Sequence, residues 1–83
     1  MAERITELAT IRTTMPLEGP DVFDDARIHQ LPVGSEGTVM HIFDDGEAFE
    51  VEFLVWPDGP KQYRSVQIPV EVDQCELAWK APA

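Results

Sequence analysis

At 83 residues, with 16 acidic side chains against 6 basic ones and a net charge of −10, the chain has the size of one small acidic domain. A hydrophobic content of 43% excludes intrinsic disorder, and a single cysteine, Cys75, excludes an intramolecular disulfide or a cysteine zinc site. The cations Arg4, Arg12, Arg27, Lys61, Arg64 and Lys80 are scattered, without the basic footprint of a nucleic-acid binder, and no apolar run reaches a membrane span.

A chain this short buries only about 60% of its unfolded surface, so the core is small. The lone thiol and the lack of a basic-then-apolar leader pattern point to a cytoplasmic protein. The acidity has two readings: plain solubility, or a face that meets a basic partner.

In chain order, the β-branched run Leu8 to Thr14 predicts a first strand, stopped by Met15-Pro16. Leu17 to Pro32 then reads as a long loop. Glu18-Gly19-Pro20-Asp21 is loop chemistry, and Asp21 suits the cap of one helical turn running through Asp24 and Asp25. Val22, Phe23, Ile28 and Leu31 would pin that loop to the core. Val33 to Gly37 is a tight turn whose glycines supply unusual backbone conformations. A phosphate cradle there is disfavoured, since no lysine follows and Glu36 would repel the ligand.

Gly37 to Phe53 predicts one β-hairpin, with Asp45-Gly46 at a tight two-residue tip. That register pairs Asp44 with Glu47, Phe43 with Ala48, Ile42 with Phe49 and Met40 with Val51, and sets Thr38 opposite Phe53. Strict alternation then puts Met40, Ile42, Phe49, Val51 and Phe53 on one face. Val39, His41, Phe43, Ala48, Glu50 and Glu52 fall on the other. A three-residue turn with Gly46 as a bulge is the competing geometry.

The third strand, Ala48 to Val55, leads into a Trp56-Pro57-Asp58-Gly59 turn. Lys61 to Ile68 predicts a fourth strand, bent near Ser65 and Val66 and ended by Pro69. Val72 to Cys75 reads as a single 3₁₀ turn, and Glu76 to Trp79 as a fifth strand. Five short strands separated by turns predict an all-β fold, a small closed or nearly closed barrel.

Gly34, Gly37, Thr38, Val39, Gly46, Phe49, Glu50, Val51, Glu52 and Phe53 carry a resemblance. The chain from about Leu8 to Leu77 resembles a family of short bacterial proteins of unknown function. Its marks are a Gly-x-x-Gly-Thr-Val opening and a Glu-x-Glu-Phe exit from the third strand. The pattern is also similar to SH3-like barrels with a KOW-type glycine turn, and more distantly to the C-terminal barrel of the nitrile hydratase β subunit. The resemblance implies an SH3-like barrel, in keeping with the five strands, and the chain's own residues add a long loop after the first strand. It implies no catalytic residues. The Leu17–Pro32 segment is longer than the family pattern, and Gln74-Cys75-Glu76-Leu77 departs from its plain Gln-Leu ending.

No enzyme chemistry is legible. His29, His41, Asp24, Asp25, Asp44 and Asp45 lack any metal-ligand spacing, so no metal or cofactor is implied. Cys75 has no histidine near it in sequence and reads as an inert buried thiol. The best reading is a small acidic, non-enzymatic protein-interaction module, in the manner of an adaptor, an inhibitor or an antitoxin or immunity protein. Its partner would be a protein with a basic surface, with no nucleic acid and no membrane. The expected contact residues are Glu50, Glu52, Phe43, Asp21, Phe23, Asp24, Asp25 and Trp56, acids surrounding exposed aromatics. The alternatives are an accessory or assembly subunit of a nitrile hydratase-type metalloenzyme and, disfavoured by charge, a KOW-type nucleic-acid binder.

Overall fold

The computed structural model describes residues 5–43 and 46–80. Its strands are β1 (Thr10–Thr13), β2 (Leu17–Pro20), β3 (Ile28–Leu31), β4 (Glu36–Phe43), β5 (Ala48–Val55), β6 (Arg64–Glu71) and β7 (Cys75–Trp79). A 3₁₀ turn at Val72–Gln74 joins the last two, as its sequence predicts. Five strands form one antiparallel sheet in the order β6-β5-β4-β1-β7, and β2 pairs with β3 in a separate ribbon. The fold is all-β and barrel-like, but the main sheet is open, ending on β6 and β7.

The β2–β3 ribbon replaces the long loop expected between Leu17 and Pro32. Leu17 pairs with Leu31, Glu18 with Gln30, Gly19 with His29 and Pro20 with Ile28. The ribbon packs on β6, and an Asp21–Val66 bridge joins the two. Gly19 is needed for that close approach. A Cβ there would lie 2.9 Å from Val66 Cγ1 and would overlap Ile68 Cγ2. What reads as loop chemistry in Glu18-Gly19-Pro20 is therefore a strand stripped of bulk where it crosses another.

The β4–β5 hairpin confirms half of its expected register. Phe43 pairs with Ala48, Ile42 with Phe49 and His41 with Glu50. Beyond them the ladder shifts: Val39 pairs with Val51, Thr38 with Glu52 and Gly37 with Phe53. Met40 is the extra residue of a bulge and is 42% exposed, so neither the Met40–Val51 nor the Thr38–Phe53 pairing forms. The core is the cause. Val39 is fully buried and Ile42 packs against the same cluster, yet they stand three apart. Two residues at odd spacing can share one face of a strand only if one residue between them leaves the ladder. The expected Asp44–Glu47 pair lies outside the described residues.

β6 also departs from expectation. It pairs with β5 without a break from Arg64 to Glu71, with no bend at Ser65 or Val66 and no stop at Pro69, which sits opposite Glu50. Proline is tolerated because β6 is an edge strand, whose outward backbone amides need no ladder partner.

The core is Ile11, Leu31, Val39, Phe49, Val51, Phe53, Val66, Ile68, Val70 and Cys75, with Leu17, Ile42 and Val55 at its margin. The main sheet supplies one wall and the ribbon the other. Thr13, buried beneath the Pro32–Ser35 turn, donates to Pro32 O at 3.1 Å and accepts from Ser35 N at 3.2 Å. Within that turn Gly34 has a φ of +89°, as a tight turn requires. Gly37 does not share this property. It is confined by packing, since a Cβ would lie 2.6 Å from Val51 Cγ1 and 2.8 Å from Phe53 Cδ1.

Candidate functional site

Alternation along β5 sends Phe49, Val51 and Phe53 inward, so Glu50, Glu52 and Leu54 point out of the sheet's far face. The register extends this outer face sideways. Thr38 is opposite Glu52, Thr10 is opposite Thr38, and Trp79 is opposite Thr10. Gln67, on β6, lies across from Glu52 and donates to its carboxylate at 3.3 Å. In the neighbouring row Arg12 bridges Glu36 and Glu76, each at 3.4 Å.

The short threonines lie low between longer side chains, and this relief forms a groove of about 320 Å³. Thr10, Glu36, Gly37, Thr38, Glu52, Leu54 and Trp56 line it. Leu54, near the end of β5, and Trp56, just beyond it, are 43% and 52% exposed and give the groove its apolar side. Tyr63 meets the Trp56 ring edge-on, with centroids 6.5 Å apart and planes at 60°. The groove thus combines an apolar strip, two hydroxyls and two carboxylates.

Of the expected contact residues, Glu52 and Trp56 meet in this groove, and Glu50 continues the same face toward the hairpin tip. Phe43 lies beyond, half-buried, with the His41 ring edge-on to it at 4.7 Å. Phe23, Asp24 and Asp25 belong to the turn between β2 and β3, where Phe23 is 86% exposed. Asp24 is held by its own turn, its Oδ1 accepting from Ala26 N at 3.2 Å. An Arg27–Asp58 ion pair of 2.9 Å ties that turn to the one following Trp56. The Arg27 guanidinium holds the Asp58 carboxyl below its ordinary value.

Asp21 is the expected contact residue that the structure removes from the surface. Its side chain has no exposed area, and it serves as a clasp. Arg64 donates to it twice, Nε to Oδ2 at 2.7 Å and Nη2 to Oδ1 at 3.0 Å. His29 Nε2 lies 2.9 Å from Oδ2, and Phe23 N donates to Oδ1 at 2.9 Å. The Arg64 hydrogen bonds, then His29, hold the Asp21 carboxyl far below the usual carboxylate range, against the opposing effect of burial. An ionised carboxylate can only accept, so Nε2 carries the histidine proton. The expected Asp21 cap survives as the bond to Phe23 N, but no helical turn follows it. With four donors aimed at it, the carboxylate stitches the ribbon to β6 and has little capacity left for a partner.

Among the described residues, no group of three or more His, Cys, Asp or Glu side chains is placed to hold a metal ion. Cys75 is buried, its Sγ–H donating to Glu71 O at 3.6 Å, and burial raises its thiol pKa. No helix among them is long and apolar enough to cross a membrane. Compared with protein-family models, curated proteins and solved structures, the chain finds no match.

Leu54, Glu36, Thr10 and Thr38 are site residues that sequence reasoning missed. Leu54 had a readable signal. It follows Glu50 and Glu52 at the same two-residue spacing, so it breaks a polar face with an aliphatic side chain. Glu36, Thr10 and Thr38 had none, because only strand pairing brings them beside it.

Proposed function

We propose that this chain is a non-enzymatic, cytoplasmic protein-interaction module whose partner presents a basic surface to the outer face of the main sheet. The observation that carries this reading is the coincidence of exposed Leu54 and Trp56 with Glu36 and Glu52 in one groove. Aromatic anchors surrounded by polar and charged neighbours are the usual form of a protein-binding hot spot. The net charge of −10 gives such a face long-range attraction for a cationic partner and repulsion from phosphate backbones. An adaptor, an inhibitor that masks a basic active site, and an antitoxin- or immunity-type protein all fit this description.

The test is association kinetics against the protein captured from native lysate. The proteins compared are wild type, Glu50→Lys/Glu52→Lys and Asp24→Lys/Asp25→Lys. Electrostatic steering acts mainly on the on-rate and is screened beyond about 10 Å at 0.1 M salt. The on-rate should therefore fall as salt rises, and fall further in the Glu50/Glu52 variant. If both variants associate as fast as wild type and salt has no effect, the acidity is only solubilising and the reading is wrong.

A further inference from the structure

We propose that the outer groove receives one arginine side chain of the partner, its guanidinium stacked on Trp56 and hydrogen-bonded to Glu52. This inference rests on the basic-partner reading and names the chemistry of its central contact.

Size is the first argument. A volume of about 320 Å³ is at the lower end of ligand sites, which run from about 300 to 1,000 Å³, so the groove suits one long side chain. Its lining is the second argument. Leu54 and Trp56 offer an apolar strip for a methylene stem, and Tyr63 meets Trp56 by an edge contact. Both ionisable side chains of the lining, Glu36 and Glu52, are acids. Glu52's hydrogen bond is to the neutral amide of Gln67, which an incoming cation would outcompete. Glu36 is already shared with Arg12 at 3.4 Å, so Glu52 is the better acceptor.

Arginine is favoured over lysine for physical reasons. A guanidinium is planar, lies flat on an indole face, grips a carboxylate with two parallel bonds and sheds water more readily than an ammonium. A second copy of the chain is disfavoured as the source of that arginine, because two copies of net charge −10 repel one another. Among the described residues, each arginine is also already engaged, Arg12 by Glu36 and Glu76, Arg27 by Asp58 and Arg64 by Asp21.

The experiment is an amide-correlation NMR titration of the full chain with an acetylated, amidated Gly-Gly-Arg-Gly-Gly peptide. Matched peptides carry lysine, or citrulline as the neutral isostere. The arginine peptide should give saturable shifts centred on the Trp56 indole and the Glu52 and Leu54 amides. Citrulline should bind at least about tenfold more weakly, since the charge-assisted bonds are lost. Trp56→Ala and Glu52→Gln should each weaken the arginine peptide about three- to tenfold, and Trp56→Phe should recover part of the loss. The same spectra verify that each variant is folded.

Several results overturn the proposal: no saturable shift by about 10 mM peptide, equal binding of citrulline or lysine, or shifts elsewhere on the surface. An unaffected Trp56→Ala variant overturns it too. If the arginine peptide binds in a salt-sensitive manner away from Trp56, the groove assignment fails while the basic-partner reading stands. If no cationic peptide binds and the partner's on-rate ignores salt, both fail.

Discussion

Replacing Gly37 with alanine isolates a steric constraint from a conformational one. The added Cβ would lie 2.6 Å from Val51 Cγ1, 2.8 Å from Phe53 Cδ1 and 2.9 Å from the Glu52 carbonyl oxygen. Val51 and Phe53 are 0% and 1% exposed, walled in by the core, and the carbonyl belongs to the β4–β5 ladder, so no contact can yield cheaply. Overpacking of this kind costs about 1–3 kcal/mol. The stiffer unfolded chain returns about 0.4–1 kcal/mol. A net loss of about 1–2 kcal/mol lowers the Tm of a domain this size by about 4–16 °C. Thermal unfolding followed by far-UV circular dichroism is the assay. The decisive variant is the double mutant with Val51→Ala, which removes the nearest clashing atom. Val51→Ala alone costs about 2 kcal/mol for lost burial and the cavity it leaves. Together the two changes should cost less than their sum by at least about 0.5 kcal/mol. An unchanged Tm for Gly37→Ala, or strict additivity with Val51→Ala, would refute the packing argument.

The bulge makes a similarly sharp prediction. Met40→Asp should change stability by no more than about 0.5 kcal/mol in urea unfolding, whereas Val39→Asp should prevent folding; strict alternation demands the reverse outcome. The Asp21 clasp predicts an acid limb. Because its folded carboxyl titrates below its unfolded value, the stabilisation is complete above the ordinary aspartate range near about pH 4 and is lost as pH falls through the folded value. Between pH 5 and pH 2 the urea midpoint of wild type should fall more steeply than that of Asp21→Asn, and parallel slopes would show that the clasp carries no linked protonation.

What the sequence determines by itself is local. The inward series Phe49, Val51 and Phe53 follows from a period of two over one uninterrupted strand. The 3₁₀ turn at Val72–Gln74 and the His41–Glu50 pairing near the hairpin tip likewise depend on residues close in the chain. The apolar interruption of the polar face by Leu54 belongs here too.

The tertiary structure decides wherever a residue's role depends on a distant neighbour. Met40 leaves the ladder because Val39 and Ile42 must both reach one core, and that core is assembled from strands as far apart in sequence as β1 and β7. Gly19 and Pro20 carry loop composition yet form a strand, because β6 passes too close for a side chain at Gly19. Pro69 sits within a strand because that strand lies at an edge, and edge position is a property of sheet order. Asp21 offers the same carboxylate as Asp24 and Asp25, four residues apart at most, and only it is buried. Its partner Arg64 lies 43 positions away, and bringing that guanidinium to it turns an apparent surface acid into the clasp between ribbon and sheet. The groove has the same origin: β1, β4 and β5 each contribute side chains to it, and their adjacency exists only once the strands have paired.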